Sequence, residues 1–564
     1  MPYARRRYTS GISLRSAATD EPGRRAHSSA EPNSVWLNPR LRRWALVVWV
    51  VLIAGFAAAH AIHLQADFPN HSPWSFDYAK YTDEGWYGDA AVRAHLLGHW
   101  YLPGDFNPAP AVPLWPALEW ILFSFTGVGI VPARALAIAF FFLELLLAYS
   151  LLRTRGPRWT ALLALSLIVS SPFLFAFSRL AILEPMLIAL MLGTLNLAVR
   201  LPRWRRPGAV SGAIGVLFGL MLLTKTTALF LAPAIAWAVI VPLWSERRKA
   251  LRCAIAAVAA ATVVFGGWLA LIAHSGLWRD YKYFFFINKY DKPTEWYWPL
   301  LSLWWSFKGG LWADRILIPI AGLVVVLLIL AARTSWSGKI WRDPVFGASA
   351  LALAGYILFM TLQNHPQARY YAVVALFAFL VLVIGTEALV TAPAEQTHVP
   401  WRIAGAAILG AAIVAAGFNG ARTMIFVAHP EYTFVTAARQ LTGYIDQHPN
   451  GKRLLVSISG DEISMITHLP SLCDDFGTED LPEKLADYNP GWWATWNDID
   501  PGTLEDLHIH YSLEQVASFP AFDDPDRNVL VLFKLHPLPG GKPREHGPAL
   551  QVPLPGDKID ISVQ

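Results

Sequence analysis

The chain has 564 residues, of which 54% are hydrophobic and only 15% charged, with a formal net charge of +5 and an isoelectric point near 9.0. A soluble protein of this length would be about 25% charged, so the composition excludes an ordinary soluble enzyme. Two cysteines, Cys253 in an apolar stretch and Cys473 in a polar one, exclude a disulfide framework and a cysteine-rich metal site. The basic excess comes mostly from arginines in the N-terminal arm and short loops, with no long basic face interleaved with aromatics, so it bears on membrane topology and not on nucleic acid.

Residues 1–43 are rich in Arg, Ser, Pro and Gly and lack an apolar period, which predicts a disordered cytoplasmic arm. Apolar blocks of about twenty residues follow, the length that crosses about 30 Å of hydrocarbon. The first runs from Trp44 to Leu64 and reads as an uncleaved anchor. Further spans are expected near Val131–Leu152, Trp159–Phe177, Leu180–Val199, Ala209–Leu223, Ala228–Trp244, Ala250–Ala273, Ile316–Ala332, Val345–Leu362, Tyr370–Val390 and Ile403–Phe418, about eleven in all. Pro113–Phe125 is apolar but short and Pro-flanked, which suits an interfacial or re-entrant helix.

The expected division is a membrane domain over 44–428, with external loops 64–130 and 275–315, a soluble α/β domain over 429–536, and a flexible tail over 537–564. In the soluble part a helix is expected over Tyr432–Gln447 and strands over Leu454–Ser459 and Val529–Leu535. No internal repeat and no Walker or dinucleotide glycine pattern is present, which argues against an engine driven by ATP.

Loop charge sets the orientation. Arg153, Arg155 and Arg158, then Arg200, Arg203, Arg205 and Arg206, then Arg247, Arg248 and Lys249 fall on alternate loops, as does the set Arg333, Lys339 and Arg342. Positive residues gather on the cytoplasmic side. The N-terminus is therefore expected inside, and the loop after the first span and the C-terminal domain outside, in a bacterial inner membrane.

Ionisable groups beside hydrocarbon are functional candidates by default. Outside, the first loop holds Asp83, Glu84, Asp89, Arg93 and Asp105 together with Tyr87; Arg179 and Glu184 bracket the third and fourth spans; Lys225 lies between the fifth and sixth; His365, Arg369 and Tyr370 occupy a tight turn. The aromatic loop from Asp280 to Asp314 adds Lys282, Lys289 and Lys292. Span parity brings these distant positions to one face. A carboxylate there can take a proton from an attacking hydroxyl or amine, and Arg and Lys can hold a phosphate as charge develops on it.

These residues resemble a known pattern. Asp83-Glu84 with Tyr87, Gly98-His99-Trp100-Tyr101-Leu102-Pro103, Pro132-Ala133-Arg134, Ser178-Arg179-Leu180 leading to Glu184-Pro185, Leu223-Thr224-Lys225, and Pro366 to Arg369-Tyr370 follow in order and spacing. The chain resembles, from about Ala45 to Ile384, the polyprenyl-phosphate-dependent glycosyltransferases of GT-C type: the protein O-mannosyltransferases and lipid A aminoarabinose transferases of family 39. The resemblance implies a polytopic GT-C membrane fold, a polyprenyl-phosphate sugar donor, an external acceptor (protein, lipid A or another glycan) and an inverting reaction. It makes Asp83 the general base, with Glu84 beside it contacting acceptor or donor. Arg179, Lys225 and Arg369 would neutralise the lipid phosphate, and Tyr87, Arg93, Asp105, Glu184, His365 and Tyr370 are candidates for substrate contacts. One departure stands out: Ala111-Val112-Pro113-Leu114-Trp115-Pro116 lacks the lysine of the Lys-Pro-Pro run in aminoarabinose-type members.

Blander readings stand beside these. Asp89 and Arg93 fit a helical ion pair four residues apart, the Trp/Tyr-rich loop fits an interfacial belt, and Asp461-Glu462 reads as ordinary surface. A divalent ion on Asp83-Glu84 stays open, with no complete ligand set. Two rival classes also remain: a transporter or lipid-carrier flippase, which favours paired halves and broken, charged spans at mid-membrane, and a non-catalytic envelope assembly protein, which needs no convergent acid–base set.

Overall fold

The computed structural model describes residues 39–69, 77–287, 295–333, 337–362, 367–393, 398–450, 452–524 and 527–539. The chain divides into two compact units between Trp49 and Val50. The first is described only as the opening turns of α1 (Pro39–His60), and all that follows concerns the second.

After α1 come α2 (Asp83–Leu97), α3 (Leu114–Thr126), α4 (Ile130–Arg153), α5 (Arg158–Ser170), α6 (Pro172–Ser178), α7 (Leu183–Ala198), α8 (Pro207–Thr224), α9 (Ala232–Ile240) and α10 (Arg247–His274). Then follow α11 (Trp278–Lys282), α12 (Trp298–Ala313), α13 (Leu317–Leu330), α14 (Ser337–Trp341), α15 (Pro344–Leu362), α16 (Tyr371–Val390) and α17 (Val399–Ala428). Among the described residues eight helical segments are long and apolar enough to cross a membrane, or up to ten if two bent pairs each count as one span.

Those bends depart from the expected spans. The stretch read as Trp159–Phe177 turns by 70° between α5 and α6, because Pro172 lacks an amide donor and opens a new helix whose cap is Ser171, Oγ accepting from Leu174 N at 3.2 Å. The expected span at Ile316–Ala332 is α13, joined to α12 through a 118° bend. Asp314 makes that corner, Oδ1 accepting from Ile316 N and Leu317 N. The stretch expected at Leu180–Val199 is the shorter α7, and that expected to end at Phe418 runs on to Ala428. Trp296, Trp304 and Trp305 are exposed on or beside α12, as an interfacial belt requires.

Helix α16 is buried along nearly its whole length, packed among α13, α15 and α17. Close helix approach in lipid favours small residues: a Cβ on Gly215 would sit 2.0 Å from the carbonyl oxygen of Ala257, which fixes how tightly α8 and α10 meet.

Beyond α17 the chain forms an α/β unit: α18 (Thr433–Gln447), β1 (Leu455–Val456), α19 (Gly460–Thr467), β2 (Ser471–Leu472), α20 (Leu481–Tyr488), β3 (Trp492–Trp496), α21 (Pro501–His510), β4 (Tyr511–Pro520) and β5 (Val529–Pro537). The sheet order is β2-β1-β3-β5-β4, parallel among the first three and antiparallel across β3-β5-β4. The expected strand at Leu454–Ser459 shrinks to two residues, while the expected helix and last strand are present nearly to the residue.

This unit is built onto the first loop. Tyr81 joins its apolar core, edge-on to Trp496 with ring centroids 5.7 Å apart. Asp67 accepts from Thr433 N at 2.6 Å at the start of α18, and Lys80, 1% exposed, pairs with Asp524 at 2.7 Å. Asp105 and Gly477 form a β-bridge.

Candidate active site

Helix α2 carries the acidic pair in its first turn, where the helix dipole favours negative charge. Successive helical side chains point about 100° apart, so the two acids face different neighbours. The helix is seated by close approach: a Cβ on Gly85 would lie 2.2 Å from the backbone nitrogen of Glu462, and one on Gly88 2.5 Å from Glu119.

Asp83 is 2% exposed, and its Oδ2 lies 2.8 Å from Nη2 of Arg369. Burial pushes its carboxyl up to about 6, against the pull of the Arg369 guanidinium. Arg369 is anchored in turn by Asp77, which accepts from its Nη1 at 2.9 Å and its backbone N at 2.8 Å. Lys225 pairs with Glu184 and stands 4.2 Å from the centre of the Tyr370 ring, and the guanidinium of Arg369 lies 5.0 Å from the same ring. Tyr370 thus orients two cations at once.

Asp83, Tyr87, Lys225, Arg369 and Tyr370 line one cavity of about 710 Å³, closed on its other side by residues of the α/β unit. Five candidates from three separate stretches of the sequence therefore meet. The rest take other places. Glu184 backs Lys225 from behind. Glu84 turns away from the cavity: its Oε1 and Oε2 accept from Nε and Nη2 of Arg134, and Oε1 also from Ala181 N at 2.7 Å. Arg179 donates to the carbonyl of His63 and lies over Phe175, beside a separate void of about 50 Å³. His365, Lys289 and Lys292 lie outside the described residues.

Arg93 and Asp105 belong to a sealed cluster. Arg93 contacts Asp89 at 3.2 Å, Asp105 at 2.8 Å and Asp461 at 3.1 Å, and Lys484 reaches Asp105 at 3.4 Å. The helical pair expected from the spacing of Asp89 and Arg93 is present as one edge of this network. Three carboxyls face two cations, and burial holds Asp89 well above the usual carboxylate range, so that it can keep its proton. The expectation that Asp461-Glu462 is ordinary surface does not hold: they are 4% and 0% exposed. Burial, then the charge of Glu84, holds Glu462 far above the carboxylate range.

Two participants escaped the sequence reading. Asp77 had no signal beyond being an acid in the loop. Arg134, a cation in an apolar helix, enters the sequence pattern only within Pro132-Ala133-Arg134, with no role assigned to it. No group of three or more His, Cys, Asp or Glu is arranged to hold a metal ion among the described residues.

The chain is an integral membrane protein with a fold of GT-C type and a small C-terminal α/β domain. ArnT from Cupriavidus metallidurans bound to undecaprenyl phosphate aligns with a TM-score of 0.57 at 14% identity, covering 86% of this chain and 98% of that one. The apo form of the same protein gives 0.56 at 14% identity, with the same coverage of each chain. The Archaeoglobus fulgidus oligosaccharyltransferase in its apo form aligns with a TM-score of 0.48 at 13% identity over 87% of this chain and 76% of that chain. Residues 108–270 match the family model of dolichyl-phosphate-mannose-protein mannosyltransferases. No curated protein matches the chain by sequence.

Proposed function

We propose that the chain is a membrane glycosyltransferase that moves a sugar from a polyprenyl-phosphate carrier to an acceptor on the external side, with inversion. The observation that carries this reading is one buried carboxyl, Asp83, sharing a cavity with Lys225 and Arg369. The family-model match and the fold shared with a protein solved on undecaprenyl phosphate support a lipid-phosphate donor.

In the proposed reaction the acceptor heteroatom attacks the anomeric carbon as the bond from that carbon to the phosphate oxygen breaks. Asp83 takes the acceptor's proton, and a carboxyl raised to about 6 is a stronger base than a solvated one yet still ionised at neutral pH. Arg369 and Lys225 receive the charge that grows on the departing lipid phosphate. Glu184 and Asp77 hold those cations in place. Glu84, locked on Arg134, fixes the start of α2 and so aims Asp83. Arg179 lies outside this cavity.

The test is transfer from a panel of labelled polyprenyl-phosphate sugars to a crude envelope extract by the purified protein in lipid. Transfer by the wild type supports the reading and names the sugar. Binding of the carrier lipid without transfer of any sugar would overturn it in favour of a flippase.

A further inference from the structure

The cavity has a second charged wall. Asp474 and Asp475, after β2, and Asp498 and Asp500, after β3, all line it. The membrane helices supply the cations Lys225 and Arg369, whereas the α/β unit supplies four carboxyls and the single cation Arg527, which lies over the Tyr81 ring. The nearby lysine is committed elsewhere: Lys484 gives its ammonium to Asp105 and to the carbonyls of Cys473 and Phe476.

Asp474 carries the second observation. It is 9% exposed, and its Oδ2 accepts from Nε1 of Trp493 at 3.0 Å. Its Oδ1 is buried with no hydrogen-bond partner on any other described residue. A buried carboxyl oxygen without a donor carries its full desolvation penalty, so a ligand that brings a donor is favoured there. The loop is rigid enough to recognise one: Cys473 N donates to Asp105 at 3.0 Å, Glu479 N to the carbonyl of Gly104 at 2.9 Å, and Gly477 bridges Asp105. Asp500, by contrast, is partly used as the cap of α21, accepting from Thr503 N at 2.7 Å. Trp496 and Phe476 also line the cavity. The described acids do not form a metal-holding group.

We propose that this wall binds an ammonium group of the acceptor, with Asp474 as the direct hydrogen-bond partner. The word acceptor rests on the transferase reading above: there the donor phosphate belongs with Lys225 and Arg369, while the acids hang from the unit that an acceptor meets first from water. Burial pushes the Asp474 carboxyl up to about 7, and an arriving cation would draw the proton off and gain a full ion pair.

The experiment uses the full chain in lipid nanodiscs. Binding of a short Ser/Lys peptide is compared with its Nε-acetylated twin, and cadaverine with pentanediol, in the wild type, Asp474→Asn and Asp498→Asn. Undecaprenyl phosphate binding is measured on the same preparations. The cationic member of each pair should bind about tenfold or more tightly in the wild type. Asp474→Asn should abolish that preference and Asp498→Asn reduce it, with lipid binding intact in both as the check on folding. Equal binding of both pairs by the wild type would overturn the proposal. So would a preference that survives in Asp474→Asn, or displacement of the cationic probes by low concentrations of Mn²⁺, which would assign the wall to a metal. Failure of the wild type to bind the lipid or transfer sugar would sink the transferase reading alone, since the peptide and diamine pairs judge the ammonium site independently.

Discussion

One helix feeds two charged clusters with opposite fates. At its start, Asp83 looks into the 710 Å³ cavity, paired with an arginine but bordered by open volume. One to three turns on, Asp89 and Arg93 are closed into a network with Asp105 and Asp461 that leaves no comparable space. Both sets are almost fully buried, and both pair acids with bases. Burial of charge alone therefore does not separate chemistry from architecture; what separates them is whether a substrate-sized volume touches the group. A buried ion pair is weak evidence of stability in itself, yet breaking one by removing a partner is costly.

That contrast can be broken at several points. The largest effect is expected at Asp83→Asn, which removes the base with little change of shape: transfer should fall by about 10²- to 10⁴-fold, with the unfolding temperature held or raised because a desolvated charge is gone while Asp77 still pairs with Arg369. Arg93→Met should do the reverse. It strands buried carboxylates and should cost about 3–5 kcal/mol of stability, seen as a lower unfolding temperature and protease sensitivity of the α/β unit, with kcat of the surviving folded fraction much less affected. Gly85→Ala sets a methyl against the backbone of Glu462 and should cost about 1–3 kcal/mol, while also lowering kcat by tilting Asp83. The smallest expected effect is at Asp77→Asn, which keeps the shape but loses the charge that anchors Arg369. Transfer should fall about tenfold, mainly in kcat, and the unfolding temperature should fall less than in Arg93→Met, because Asp83 still pairs with Arg369. Were Arg93→Met to abolish turnover in fully folded protein, or Asp83→Asn to unfold the chain, the division of labour along α2 would be wrong.

Much of this site is legible in the sequence. Asp83, Lys225 and Arg369 are ionisable residues next to long apolar runs, and counting spans puts them on one side; the physics is the cost of charge in hydrocarbon, which leaves few such residues to choose among. The α/β character of the tail was legible for the same reason that its alternating runs are short and punctuated. What sequence could not supply was the contact between the two. Asp461-Glu462 looks like the acidic first turn of a surface helix, and only docking of α19 on α2 buries it. Asp77 is one loop acid among several until the backbone of Arg369 closes on it. The bend at Ser171-Pro172 had a local signal in its proline, but a long apolar run hides a break that costs no hydropathy. Arg179 shows the opposite case: its motif and its place at a helix end point to the lipid phosphate, while its guanidinium is turned to His63 and Phe175, outside the cavity.

The most direct measurement is the pH dependence of kcat/KM for transfer by the wild type, beside the residual activity of Asp83→Asn. A general base works unprotonated, and burial raises the Asp83 carboxyl to about 6. The rate should therefore climb with unit slope as the pH rises to about 6, level off above it, and lose that limb in the variant. A wild-type profile that is flat between about pH 5 and 7, or a limb that persists unchanged in Asp83→Asn, would contradict the assignment of Asp83 as the base.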